Sequence, residues 1–395
     1  VTDYVGLTWD HPRGRNALDA ASGDLGDGDT LRWEVQSLEG FESAPIDELA
    51  RRYDLLVLDH PHLGDALASD GIRPLDELFD EDQLRAWADA AVGPSIASYR
   101  MDGRLWALPL DAATQVSARR RDLVVDAPQT WDDALVLAER GLVATSLAGP
   151  HAFLSLCSIA VSLGDDPGRG SALFDRDIAL RALDLLTRLS ANAPEGTELL
   201  NPIGLLDRLR DRGDIGYIPL VYGYVTHSSP TLAFGPAPAF AGRIGSTIGG
   251  TGIAVTRRSE PSAALLAHLR RLLSGEVQTG FIPQHEGQPG LRAAWTDAAV
   301  DAAAHGFYSQ TLSTIEASWV RPRVAGYIPF QSAASAVVRA VVAGERSADG
   351  ALDELEERFA PLAASTGSAT QGAGASTGSA TQGAGASTSL QEVRP

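Results

Sequence analysis

DLLVLDHPHLGDALASDGIRPLDELF, residues 54–79, is the stretch on which the fold turns. Four consecutive apolar residues, Leu55 to Leu58, suit a strand buried on both faces of a parallel sheet. The run stops at a polar loop, Asp59-His60-Pro61-His62. Upstream, Tyr4 to Trp9 reads as a first strand, followed by the loop Asp10 to Gly14 and a helix from about Asn16. Leu31 to Leu38 reads as a second strand. Downstream, strands are expected at Leu105 to Leu110 and Arg119 to Leu123, joined through Asp111-Ala112-Ala113-Thr114-Gln115. Pro128 to Trp131 opens a helix, with Thr130 as N-cap and Asp133 at the capping-box position. A helical middle, His151 to about Ser190, precedes a strand at Ile215 to Leu220 and a loop, Val221 to Tyr224. Gly245 to Val255 enters a further strand, and from Pro261 the chain is largely helical, broken at Ile282 to Gly290 and at Arg321-Pro322-Arg323. Short apolar runs alternating with helical segments give an α/β class.

At 395 residues the chain is long enough for two lobes, each with its own core. A net charge of -19 argues against nucleic acid as a partner. All 32 basic residues are arginine, which excludes a Schiff-base lysine and a P-loop. Cys157 is the only cysteine, so no intrachain disulfide forms, and no run approaches the length of a membrane span. Ala364 to Gly374 is repeated letter for letter at Ala375 to Gly385, and residues 364–395 read as a flexible low-complexity tail or linker outside the fold.

In open α/β sheets ligands sit beyond the carboxyl ends of strands, so the strand-end loops carry the candidates. Trp9, Asp10, His11 and Arg13 combine an aromatic ring with carboxylate and guanidinium groups, which suits a sugar; the plainer reading makes Trp9 core and Asp10 a helix cap. Asp59, His60 and His62 end the buried strand; the H-x-H spacing alone is too weak for a metal site, and neither metal nor cofactor is expected. Asp111, Thr114 and Gln115 lie at an expected lobe crossing. Tyr222 and Tyr224 flank a glycine and suit stacking or hydroxyl contacts. Gly250 and Thr251, with Gly249, offer backbone N–H groups or a hinge, but the run precedes a strand and is no nucleotide loop. Gln284, His285 and Glu286 form a polar loop, alternatively a plain exposed turn. Arg321 and Arg323 suit an acidic ligand or structural ion pairs, and His151 is a weaker candidate.

The order of these segments resembles the family-1 extracellular solute-binding proteins, the carbohydrate-capturing subunits of ABC importers. The stretches that carry the resemblance are 54–79, RLWALPLDAATQVSARRRDLV (104–124), APQTWDDALVLA (127–138), GDIGYIPLVYGY (213–224), IGGTGIAV (248–255), and the run 281–330 from FIPQHEGQPG to YIPF. The resemblance covers about residues 3–360 and implies a two-lobed periplasmic-binding-protein-like fold of type II with the ligand cleft between lobes. Lobe one is expected at 1–110 plus about 253–305, and lobe two at 115–245 plus about 306–360. It further implies a monomer that binds a small polar solute, a sugar or polyol and alternatively an acidic sugar, by hinge closure, for delivery to an ABC permease. The implied place is extracytoplasmic, periplasmic or at the cell surface. The chain shows neither an export signal nor an anchoring cysteine, which leaves a cytoplasmic place open. The competing reading is an enzyme on the same scaffold, with His11, His60, His62 and His285 beside Asp10, Asp59 and Glu286 as acid and base. Cys157, in an apolar run, reads as a buried helix residue rather than a nucleophile.

Overall fold

The computed structural model describes residues 1–372, and side chains as far as residue 364. The elements that position the site are, in chain order, β1 (Asp3–Trp9), α1 (Pro12–Ala21), β2 (Gly23–Gly26), β3 (Asp29–Gln36), α2 (Leu38–Ser43) and β4 (Leu55–Leu58). They continue with β5 (Leu108–Arg120), α3 (His151–Leu163), β6 (Tyr217–Tyr222), β7 (Leu232–Gly235), β8 (Ile248–Val255), α4 (Tyr327–Val342) and α5 (Ala348–Gly372).

One curled sheet runs β2-β3-β1-β4-β8-β5-β6, with β7 also pairing with β5. β1 lies parallel to β3 and β4. Their carboxyl ends therefore share one edge, and the loops that follow them must gather there. β8 runs antiparallel to β4 with Gly252 opposite Leu58, so Ile248 to Thr251 extend past the end of β4 into the same region. β5 pairs with β8 from Leu108 to Thr114, then with β6 and β7 from Gln115 to Arg120. β5 and β8 thus carry the chain from one half of the molecule to the other. A third passage runs beside them, where Trp319 donates to Ser246 O and accepts from Ile248 N.

Apolar packing falls into two cores. One gathers β1, β3 and β4 side chains such as Leu7, Leu31, Leu56 and Val57 with Leu269 and Trp295. The other gathers Trp131, Phe153, Leu156, Leu183, Tyr327, Phe330 and Phe359. β6 has a face toward each, with Ile218 and Val221 in the first and Tyr217 and Leu220 in the second. Burial of this extent, at roughly 25 cal/mol per Å² of apolar surface, is the main favourable term for each half.

Several elements differ from expectation, each for a local reason. β5 is one strand of 13 residues rather than two, because Asp111 to Gln115 stay in the ladder while changing partners. β6 continues to Tyr222, where a loop was expected, because Gln115 and Val116 pair with Tyr222 and Val221. Gly249 and Gly250 lie within β8, which carries a bulge between Thr251 and Gly252. Gly250 has φ +90°, and a Cβ there would stand 2.4 Å from Asp111 O, so only glycine fits. Helix α1 starts at Pro12 rather than near Asn16, because His11 caps it through its ring. Residues expected as a loop from Ile282 begin with a helical turn, Ile282–Gln284. Helix α5 runs to Gly372, so the start of the repeat expected to be tail is helical, and residues 373–395 lie outside the described residues. The capping box at Thr130 and Asp133 is present as read.

Candidate functional site

Where the strand ends gather, Trp9, Arg13, Leu38, Phe41, Glu42 and Asp59 face Tyr222, Tyr224, Gly249, Gly250 and Thr251 across a narrow crevice. The first set follows β1, β3 and β4; the second comes from the end of β6 and the crossing part of β8. The cavity between them measures about 50 Å³. Pockets that hold drug-sized ligands run roughly 300–1,000 Å³. The two walls are closed on one another.

Two arginine–carboxylate pairs hold the crevice together. Arg13, buried, donates Nε and one Nη to Asp111 at 2.8 and 2.7 Å and the other Nη to Gly223 O at 3.0 Å. Its guanidinium also lies over the rings of Tyr224 and Trp9, at 4.8 and 5.5 Å from their centres. Arg321, buried beside the third passage, is ion-paired to Asp59 and donates to Gln331 Oε1 at 3.1 Å. Burial alone would raise the Asp59 pKa, but the Arg321 charge and His60 outweigh it and hold the carboxyl well below its usual range.

The aromatic lining is dense. Trp9 stacks on His11 at 5.1 Å, and Phe41 and Tyr224 flank it. Tyr222 meets His151 edge-on at 5.8 Å, and His151 Nε2 lies 3.4 Å from Glu42. Buried polar atoms with no hydrogen-bond partner among the described residues include Trp9 Nε1 in the crevice wall, both ring nitrogens of His151 beside Tyr222, and, away from the lining, Arg321 Nε and the Tyr327 hydroxyl. Each such group costs about 1–3 kcal/mol unless something bonds to it. Burial, then the Arg321 charge, pulls the His60 pKa down to about 4, and burial, then Arg13, does the same to His11.

The remaining sequence candidates stand elsewhere. Asp10 is exposed and paired with Arg15. His60 is wholly buried behind Asp59, against Tyr99, and does not face the crevice. His62 bonds to Phe41 O at 3.1 Å and lines a different groove of about 620 Å³, between Ser43–Asp65 and Ile328–Ser332. Thr114 and Gln115 are buried in the hinge. The Thr114 hydroxyl is bonded to Ser246, Ser318 and Thr247 O, and Gln115 to Ser155 and Ser158. Gln284, His285 and Glu286 lie on the outside: His285 packs on Phe281, and Glu286 accepts from Asn16. The crevice and this loop are separate surfaces. Arg323 donates to the carbonyls of Ala97, Ser98 and Arg100 and serves as a clamp on that turn. Cys157 is fully buried in α3, and burial pushes its thiol well above the ordinary range.

Sequence reasoning missed Leu38, Phe41 and Glu42. Reading the second strand through Leu38 hid a strand end at Gln36, and the same rule that found Trp9 and Asp59 applies to it.

This arrangement, two packed halves with crossing strands between them and a crevice at the strand ends, is the two-lobed periplasmic-binding-protein fold of type II. Solved solute-binding proteins share it. A ribitol complex of an ABC transporter solute-binding protein from Agrobacterium radiobacter superposes with a TM-score of 0.74 at 20% identity, over 91% of this chain and 98% of that one. Maltose-bound MalE3 of T. maritima gives 0.74 at 16% identity, over 91% and 99%. An ABC transporter solute-binding protein from Agrobacterium vitis with bound D-mannitol gives 0.68 at 17% identity, over 95% and 99%. No protein-family model matches the sequence, and no curated protein is similar to it in sequence. Among the described residues no helix is long and apolar enough to cross a membrane.

Proposed function

We propose that the protein captures a small polyhydroxylated solute, a sugar or polyol, in this crevice and hands it to the permease of an ABC importer. The observation that carries the reading is the crevice lining: four aromatic side chains, Trp9, Phe41, Tyr222 and Tyr224, beside the carboxylates of Asp59 and Glu42, with the buried Trp9 Nε1 left without a partner. Rings cover the C–H faces of a sugar, and isolated donors and acceptors take its hydroxyls. A cavity of about 50 Å³ admits no sugar, so binding requires the lobes to part about β5 and β8. The moving units are 1–110 with about 253–305, and 115–245 with about 306–360. Ligand-contacting roles fall to Trp9, Asp59, Tyr222, Tyr224, Gly250, Thr251 and Arg321, joined by Phe41 and Glu42. Solved proteins of this fold hold ribitol, D-mannitol and maltose, which supports the ligand class. A monomer working outside the cytoplasm fits this role.

The enzyme reading is not favoured. His62 and His285 are held away from the crevice, His60 is sealed behind Asp59, and both crevice arginines are already occupied by carboxylates.

Thermal unfolding with pentitols, hexitols, hexoses and maltose tests the proposal. A specific ligand at about 100 times its Kd adds roughly 2.7 kcal/mol and raises Tm in a saturable way. An unmoved Tm across the whole panel at millimolar concentration overturns it.

A further inference from the structure

Counting charge around the crevice narrows the solute. Arg13 is neutralised by Asp111 and Arg321 by Asp59. Both arginines and Asp111 are buried and Asp59 is partly so, and neither arginine has a free charge to offer an incoming anion. Glu42 remains. Its carboxylate lines the crevice and has one close polar neighbour among the described residues, His151 Nε2 at 3.4 Å, at a geometry that leaves both ring nitrogens without a hydrogen bond. The crevice therefore carries one carboxylate that no arginine pairs, in a lining shared with Trp9, Phe41, Tyr222 and Tyr224. Closure over a solute would remove water from that charge, which is costly unless it meets a partner. A cation among aromatic faces is attracted by their quadrupoles as well. The chain's net charge of -19 attracts cations at longer range.

We infer that the solute is an amino-substituted sugar or polyol, whose ammonium group is read by Glu42 while its hydroxyls meet the other polar groups of the lining. This rests on the solute-capture reading above and deepens it. The same charge balance argues against the acidic sugar that Arg321 and Arg323 suggest from sequence.

Two matched series test it by isothermal titration of the full chain: glucamine, sorbitol and gluconate, and glucosamine, glucose and glucuronate. Within each series the carbon skeleton is kept and the charge changes. Expected in at least one series is binding of the amine about tenfold tighter than the neutral compound, with the acid weakest. In Glu42→Gln, an isosteric change on a side chain about one-quarter exposed, the advantage of the amine over the neutral compound should vanish while Tm holds. If the neutral or acidic member binds best in the wild type, or if Glu42→Gln keeps the full preference, the charge inference fails and solute capture stands. If no member of either series and no sugar or polyol of the thermal panel binds, both fall.

Discussion

Two polar regions lie side by side at the centre of this molecule, and they are built on opposite terms. In the hinge, Thr114, Gln115, Ser158, Ser246, Thr247 and Ser318 satisfy one another: each hydroxyl or amide finds a partner on another crossing segment or on helix α3. In the crevice wall and the layer behind it, Trp9, His151, Arg321 and Tyr327 hold buried polar atoms with nothing to bond. A saturated network locks a geometry, whereas an unsaturated one is a standing cost that a ligand can relieve. The lesson is that polar residue type does not separate scaffold from site; saturation does.

The comparison can be broken at its strongest link first. Asp111→Leu leaves the buried Arg13 guanidinium unpaired, and urea unfolding should show a loss of about 3–5 kcal/mol. A loss below about 1 kcal/mol would mean that the pair is water-exposed in solution and that the crevice does not stand closed. Next, two isosteric deletions should act in opposite directions. Thr114→Val removes a hydroxyl that three groups use and should cost about 1–3 kcal/mol. Tyr327→Phe removes a hydroxyl with no partner and should be neutral or stabilising by up to about 1 kcal/mol. Equal costs for the two would erase the distinction between the regions.

A smaller effect follows from His60. Burial lowers its pKa from 6.5 to about 4, so the folded state keeps the ring neutral where the unfolded chain binds a proton. Stability is therefore unaffected above pH 6.5 and falls as pH drops from 6.5 toward 4, by up to about 1.4 kcal/mol per pH unit. His60→Gln should flatten that part of the stability–pH curve; an unchanged slope would assign it to other groups, His11 and His268 among them.

What was legible in the sequence was local. The four-residue run ending at Asp59 and the Thr130 capping box depend on neighbours within a few positions, and both stand as read. The convergence of the strand ends at Trp9 and Asp59 followed from strand direction, which alternating elements announce, whereas Asp111 and Tyr222 reach the crevice from within strands. What could not be read was partnership across long separations. Nothing near Thr114 in the chain shows that Ser246 and Ser318 will saturate it, and nothing near Arg321 shows that Asp59 will claim it. His285 misled because its loop follows a helical turn rather than a strand end, so no sheet edge carries it to the crevice. Glu42 was hidden by extending the second strand two residues past Gln36.

The most direct test sets one residue from each region against the same ligand. With the tightest compound from the thermal panel, calorimetric titration of Tyr222→Ala should show affinity weakened about thirtyfold or more, as for a central aromatic contact, and Thr114→Val should keep the wild-type Kd. A folded Tyr222→Ala protein that binds as tightly as the wild type would contradict the account, because the solute would then lie outside the crevice.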